Sequence, residues 1–220
     1  MTVEDAVASV RARIDAAAVR AGRDPAEVTL LAATKTVDAE RVRAVVAAGV
    51  VDIGENRAQE LLEKAPLVDA ARWHFVGTLQ RNKVRALAPW VTCWQSVDRD
   101  ALGAEIARRA PGATVLVEVN LAEEPQKTGC SPGDAPALVD TLRGQGLQVG
   151  GLMTVPPAAG DTRPWFAALR ELAGGLGLRE LSMGMSGDFE VAVEEGATMV
   201  RVGRALFGDR PVPTSPQGRR

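Results

Sequence analysis

The chain has 220 residues, 26 lysines and arginines against 28 acids, and a formal net charge of -2. That length suits one domain with a substantial core, and that charge argues against a general nucleic-acid binder, which would carry a basic face. There is no tyrosine and one histidine, His74, so a multi-histidine metal site is excluded and any Ser-His-Asp arrangement would have to use His74.

Residues 2–21 repeat alanine, valine and isoleucine at helical spacing, with Thr2 and Asp5 placed as a capping box and Gly22 as a stop. The stretch 28–36, VTLLAATKT, is an apolar, β-branched run that ends in Lys35 and reads as a buried strand. Helices over 38–48, 56–64, 80–88, 98–109, 134–143, 163–173 and 188–195 then alternate with strands over 50–54, 73–76, 91–97, 114–120, 149–154, 180–183 and 198–202. Regular alternation means parallel strands with crossover helices. Eight such strands predict a closed (β/α)8 barrel of TIM type, in the α/β class. A doubly wound open sheet is the rival, disfavoured because no Gly-rich fingerprint follows the first strand. The segment 204–220 offers at most one or two turns where the eighth helix should be. The first helix is therefore expected to pack beside strand one and fill that gap. The domain is expected to span 1–208, with a flexible Pro/Gly/Arg tail over 209–220.

Cys93 and Cys130 have no metal spacing and are too few for a disulfide framework. The N-terminus carries Glu4 and Asp5 and lacks the apolar core of a signal peptide, and no apolar run is long enough to span a bilayer. The expectation is a soluble, cytoplasmic protein in a reduced compartment.

In a barrel the functional loops leave one face. The residues that land there are Lys35, Glu55 with Asn56, His74 with Gly77, Gln95 with Ser96, Asn120, Met153 with Thr154, and the two runs 183–187 and 201–204. Glu55 stands alone, so glycosidase chemistry with paired carboxylates is not expected. A strand-end lysine held against apolar walls has its charged form disfavoured and can attack an aldehyde; the alternative is a lysine that snorkels to water. The loop GMSGD, 184–188, opens a helix, where Ser186 and free N–H groups make an anion site. The loop RVGRALFGD, 201–209, repeats that pattern with Gly203. Either loop alone is accounted for by glycines making tight turns. Both together, facing a lysine on strand one, describe a phosphate anchor plus a Schiff-base lysine, which is a pyridoxal phosphate pocket. Arg201 lies inside the apolar run 199–202. It could hydrogen-bond the pyridine nitrogen, or turn outward to Glu194 or Glu195.

The blocks ATKT (33–36), DIGENRAQEL (52–61), WHFVGTLQRNK (73–83), VNLAEEPQKTG (119–129), GLMTVPP (151–157) and LSMGMSGDFEVAVEEGATMVRVGRALFG (181–208) are spread across nearly the whole chain. In that order they resemble the pyridoxal phosphate homeostasis proteins, which are related to the N-terminal barrel of alanine racemase. The resemblance implies a single barrel of the fold-type III cofactor class, without a second domain. It implies that Lys35 holds pyridoxal 5'-phosphate as an internal aldimine. Asn56 and His74 would line the cofactor's face, and Met153 would pack nearby. Ser186, Gly203 and Arg204 match the phosphate-binding positions, the last two through backbone N–H, and Arg201 matches the arginine at the pyridine nitrogen. Thr34 stands where many members have serine and Arg57 where many have tyrosine; neither change removes a cofactor contact.

The function implied is intracellular cofactor homeostasis, as a carrier or regulator without catalytic turnover. Cofactor-dependent apoenzymes are the possible recipients, and the chain is expected to be a monomer with no nucleic-acid or membrane partner. The alternative is a cofactor-dependent racemase with residual activity. That chemistry needs a tyrosine base from a second domain, and this sequence has neither. A third class, a lysine-dependent aldolase on a phosphosugar, would carry no chromophore. Lys83 and Lys127 read as solvated, with the secondary hypothesis that one of them accepts cofactor during transfer.

Overall fold

The computed structural model describes residues 2–208, so the expected flexible tail, 209–220, lies outside the described residues. Helix α1, Val3–Arg20, begins at a reciprocal cap: Thr2 Oγ1 accepts from the Asp5 N–H, and the Asp5 carboxylate accepts from the Thr2 N–H. A short 3-10 turn, Pro25–Glu27, leads into β1, Thr29–Ala33. Strands β2 (Asp52–Glu55), β3 (Arg72–Phe75), β4 (Val91–Val97), β5 (Thr114–Glu118), β6 (Gln148–Met153), β7 (Glu180–Ser182) and β8 (Met199–Val202) follow. Between them run helices α2 (Ala39–Ala47), α3 (Ala58–Lys64), α4 (Arg81–Leu87), α5 (Asp100–Arg109), α6 (Ala135–Gly144), α7 (Arg163–Gly175) and α8 (Phe189–Glu194). Helix α9, Arg204–Phe207, is a single turn after β8.

All eight strands are parallel and close into a barrel in chain order, as the alternating sequence pattern predicts. Closure is made by β8 against β1, with Leu31 opposite Arg201 and Ala32 opposite Val202. The period of two sorts side chains between two environments. Leu30, Ala32, Trp73, Phe75, Trp94, Val200 and Val202 join the main apolar core beneath the helices. The alternate positions face the barrel interior, where Cys93, Leu116 and Met153 form a small separate apolar cluster. That interior also holds a buried polar set, Asp52, His74, Gln95, Ser182 and Arg201.

Helix α1 packs against α8, α9 and α2, and so occupies the place beside β1 that the short α9 leaves open. Ile14, Ala17 and Ala18 are fully buried on its inner face. Its outer face is tied down by Arg13, which forks onto Glu190 at 2.9 Å and lies 4.5 Å from the Phe189 ring centroid, and by Arg20 on Glu194. Truncating Ile14 to alanine should therefore cost about 2–5 kcal/mol by loss of burial plus a cavity. The check is a lower urea midpoint at unchanged slope; an unchanged midpoint would mean that α1 does not seal the barrel.

Candidate functional site

The strand reading of 28–36 runs too far. β1 ends at Ala33, and Lys35 sits half-buried in the turn that follows. Thr36 has φ of +65°, a left-handed conformation that costs a β-branched residue on the order of 1–3 kcal/mol unless its surroundings impose it. Here they do. The Thr34 carbonyl accepts from Lys64 Nζ at 2.8 Å, and Thr34 Oγ1 donates to Glu55 Oε1 at 2.7 Å. On the other side the Thr36 N–H donates to Glu60 Oε2 at 2.7 Å. Lys64 Nζ joins the two carboxylates, at 2.6 Å from Glu55 Oε1 and 2.9 Å from Glu60 Oε2. Lys35 is thus held between two anchored neighbours, by Glu55, which the sequence reading took to stand alone, and by Glu60 and Lys64, which it left out. Their signals were an i,i+4 Glu60–Lys64 pair on α3 and the scarcity of lysine.

The Glu55 side chain is fully buried, and its Oε2 has no partner. Burial pushes its carboxyl up, against the pull of Lys64 and Thr34. Burial also pushes Glu60 up, but the Thr36 N–H and Lys64 outweigh it and hold that carboxyl below the usual range.

Because β8 pairs with β1, Gly203 emerges beside Ala33, where a Cβ would lie 3.0 Å from the Ala33 carbonyl oxygen. The N–H groups of Gly203 and Ala205 both point at Ser186 Oγ, at 3.3 and 3.2 Å. Ser186 comes from the β7–α8 loop, which turns at Gly184 with φ of +89°. A Cβ there would sit 2.5 Å from the Ala192 Cβ, so glycine lets the loop lie on its own helix. The structure therefore brings Lys35, Ser186, Gly203 and the first turn of α9, with Arg204, to one mouth of the barrel. The Arg204 side chain is exposed, and its backbone stands between Gly203 and Ala205 in the chain.

Asn56 follows β2 at the same mouth. It is pressed against Gly77, where a Cβ would be 2.4 Å from the Asn56 carbonyl oxygen. Its Oδ1 is buried without a partner, an acceptor that calls for a ligand donor. Met153 is buried in the interior cluster. Arg201 points inward rather than toward Glu194 or Glu195: it donates to Ser182 Oγ and to the Thr154 carbonyl, each at 2.8 Å. Burial pushes its guanidinium down to about 10, opposed by Glu118 and Asp188. Two bonds leave most of its five donors free for a ring acceptor. His74 is buried inside the barrel. Both of its ring nitrogens are engaged inside the barrel, by Asp52 at 3.0 Å and Gln95 at 2.8 Å.

An amine, an anion cradle, an orphaned acceptor and a buried cation with unused donors, at one mouth, fit a group that combines an aldehyde, a phosphate and a ring nitrogen. Among the described residues no cluster of histidine, cysteine and carboxylates could hold a metal ion. Burial pushes the thiols of Cys93 and Cys130 up to about 12, so neither is poised as a nucleophile.

Comparison with known proteins gives the same picture. The family described as alanine racemase, N-terminal domain, matches residues 7–211. A pyridoxal phosphate homeostasis protein of Pseudomonas aeruginosa is 44% identical over 95% of this chain and 96% of its own length. One of Aquifex aeolicus is 43% identical over 96% and 99%. The solved structure of PipY from Synechococcus elongatus with PLP bound superposes with a TM-score of 0.83 at 33% identity, covering 94% of this chain and all of that one. Alanine racemase from Corynebacterium glutamicum shares the fold alone, with a TM-score of 0.69 at 18% identity over 97% of this chain and 64% of its own.

Two measurements test the site's framework. Lys64→Met strands the Glu55 carboxylate in the core and should cost about 3–5 kcal/mol in unfolding free energy, with much of it recovered in the double variant Lys64→Met/Glu55→Gln. A loss under about 1 kcal/mol would mean the clamp is not held by charge. For Asp52, burial raises the carboxyl, but hydrogen bonds from His74 and Arg72 outweigh it and hold it below its ordinary 3.8. Its stabilisation is then present near neutral pH and is lost as pH falls below 3.8 through the folded-state value. The stability gap between the wild type and Asp52→Asn should be widest near neutrality and should narrow in acid; a gap that widens in acid contradicts this.

Proposed function

The chain belongs to the pyridoxal phosphate homeostasis family, and on that premise we propose how it handles its cofactor and with which residues. It binds pyridoxal 5'-phosphate and serves to keep that reactive aldehyde available at a safe level. When bound, the group supplies an electrophilic aldehyde carbon, a phosphate and a ring nitrogen. Lys35 presents the amine that captures the aldehyde, from a turn fixed by Lys64, Glu55 and Glu60. Ser186 and the backbone N–H groups of Gly203, Arg204 and Ala205 hold the phosphate. Asn56 and Met153 line the space between, and His74 supports it from below. Arg201 donates to the ring nitrogen. An arginine keeps its proton, so it orients the ring without making it an electron sink. The single observation that carries this reading is that Lys35 and the Gly203–Ser186 cradle share one barrel mouth, across the β1–β8 pairing.

The chain acts as a carrier or regulator rather than as a racemase. The support is chemical: racemisation needs a second base opposite the lysine, and the sequence contains no tyrosine. Residues 1–208 form one cofactor-binding domain in this reading, acting as a monomer in the cytoplasm, with cofactor-dependent apoenzymes as recipients. Among the described residues no helix is long and apolar enough to cross a membrane.

The purified chain should show a visible-violet absorbance band. In Lys35→Ala that band and the mass of the borohydride-reduced adduct should both disappear. Alanine and other amino acids should keep their chirality over long incubation. An adduct that persists in Lys35→Ala would sink the assignment of Lys35, and measurable racemisation would sink the carrier reading.

A further inference from the structure

The barrel interior holds a line of polar side chains that crosses it from one rim to the other. Arg201 Nη1 donates to Ser182 Oγ at 2.8 Å, and the Ser182 hydroxyl donates to Gln95 Oε1 at 2.6 Å. Gln95 Nε2 lies 2.8 Å from His74 Nδ1, and His74 Nε2 lies 3.0 Å from Asp52 Oδ1. At the far rim Arg72 forks onto both Asp52 oxygens, at 2.9 and 2.5 Å. All five members from Asp52 to Arg201 are buried, and they come from β2, β3, β4, β7 and β8.

The two ends set the direction of every link. A guanidinium only donates and a carboxylate only accepts. Ser182 therefore takes its bond from Arg201 and passes its own hydrogen to Gln95 Oε1. That turns the amide nitrogen toward Nδ1, which must be bare, and leaves the imidazole hydrogen on Nε2 facing Asp52. With the Gln95 amide reversed, Ser182 Oγ would face two donors while its own hydrogen lost its acceptor. Neither hydrogen-bond partner of Arg201 is a carboxylate, so this line is its directional link to an anion. Aligned bonds of this kind polarise one another in a low-dielectric interior.

We propose that Asp52, His74 and Gln95 are positioning residues for Arg201. Through Ser182 they fix its guanidinium so that the unused N–H groups meet the ring nitrogen, and they tie occupancy of the mouth to the state of His74. This rests on the cofactor reading above.

The chain has one histidine, so a long-range proton–nitrogen correlation spectrum of tag-free, 15N-labelled protein reports a single imidazole. The expected spectrum shows a protonated Nε2 and a bare Nδ1. A ring protonated on Nδ1 alone, or on both nitrogens, overturns the proposal. Added pyridoxal 5'-phosphate should then move the Nδ1 resonance. Ser182→Ala, which removes one atom, should lose that movement while retaining the absorbance band, with affinity down about tenfold. Gln95→Leu gives the same test if Ser182→Ala fails to fold. If the band forms and Nδ1 stays still in the wild type, or moves equally in the variants, the positioning role is wrong and the cofactor reading stands. If no band forms in the wild type, both fall.

Discussion

The parallel pairing of β8 with β1 is the constraint on which the site depends. It pairs the first strand with the last, and it places Leu31 opposite Arg201 and Ala32 opposite Val202. The register puts Gly203 against the Ala33 carbonyl, so the turn bearing Lys35 and the turn that opens α9 rise side by side. A slip of one residue along β8 would point Arg201 into the apolar layer beneath the helices and move Val202 inward. Helix α1 defends that seam by covering it between α8 and α2.

Stability and function are separated by the two faces of the same strands. The outward positions supply an apolar layer that includes Trp73, Phe75, Trp94 and Val200, and this layer provides most of the hydrophobic driving force. The inward positions are released from that task. They can carry a carboxylate, an imidazole, an amide, a hydroxyl and a guanidinium, provided that each finds a partner. In the clamp around Lys35, outside the barrel lumen, Lys64 bonds one oxygen each of Glu55 and Glu60 together with the Thr34 carbonyl. Buried charge of this sort adds little to stability compared with apolar packing of the same volume. What it contributes is direction: a lysine held in a strained turn, and an arginine that faces one way.

In the proposed reading, those two directed side chains suit the site to holding rather than turnover. There Lys35 would offer a nucleophile and the cradle an anchor, which together would make a reversible covalent hold. Arg201 would give a hydrogen bond but keep its proton, so in that reading the site would do little to stabilise negative charge developing on a bound amino acid. The two cysteines, held as thiols by burial, add no second reactive group.

The eightfold alternation, the strand-one lysine, the glycines of the last two loops and the arginine inside the final strand were all legible in the sequence. Each is a local pattern: a period of two or 3.6, a turn residue, or a charge within an apolar run. Local patterns do not reveal where β1 stops, because the left-handed Thr36 is imposed by Glu60 from another element. Nor do they reveal that Glu55, read as a solitary carboxylate, is paired with Lys64, or that His74 turns both nitrogens into the barrel. Asp52 and Ser182 look unremarkable along the chain, and with Gln95 they become one line only when five strands close around them. The sequence by itself determined which residue types stand at which strand ends, since periodicity and turn chemistry act over a few residues. Only the tertiary structure decided which of them meet, since partners far apart in the chain are chosen by strand register and barrel closure.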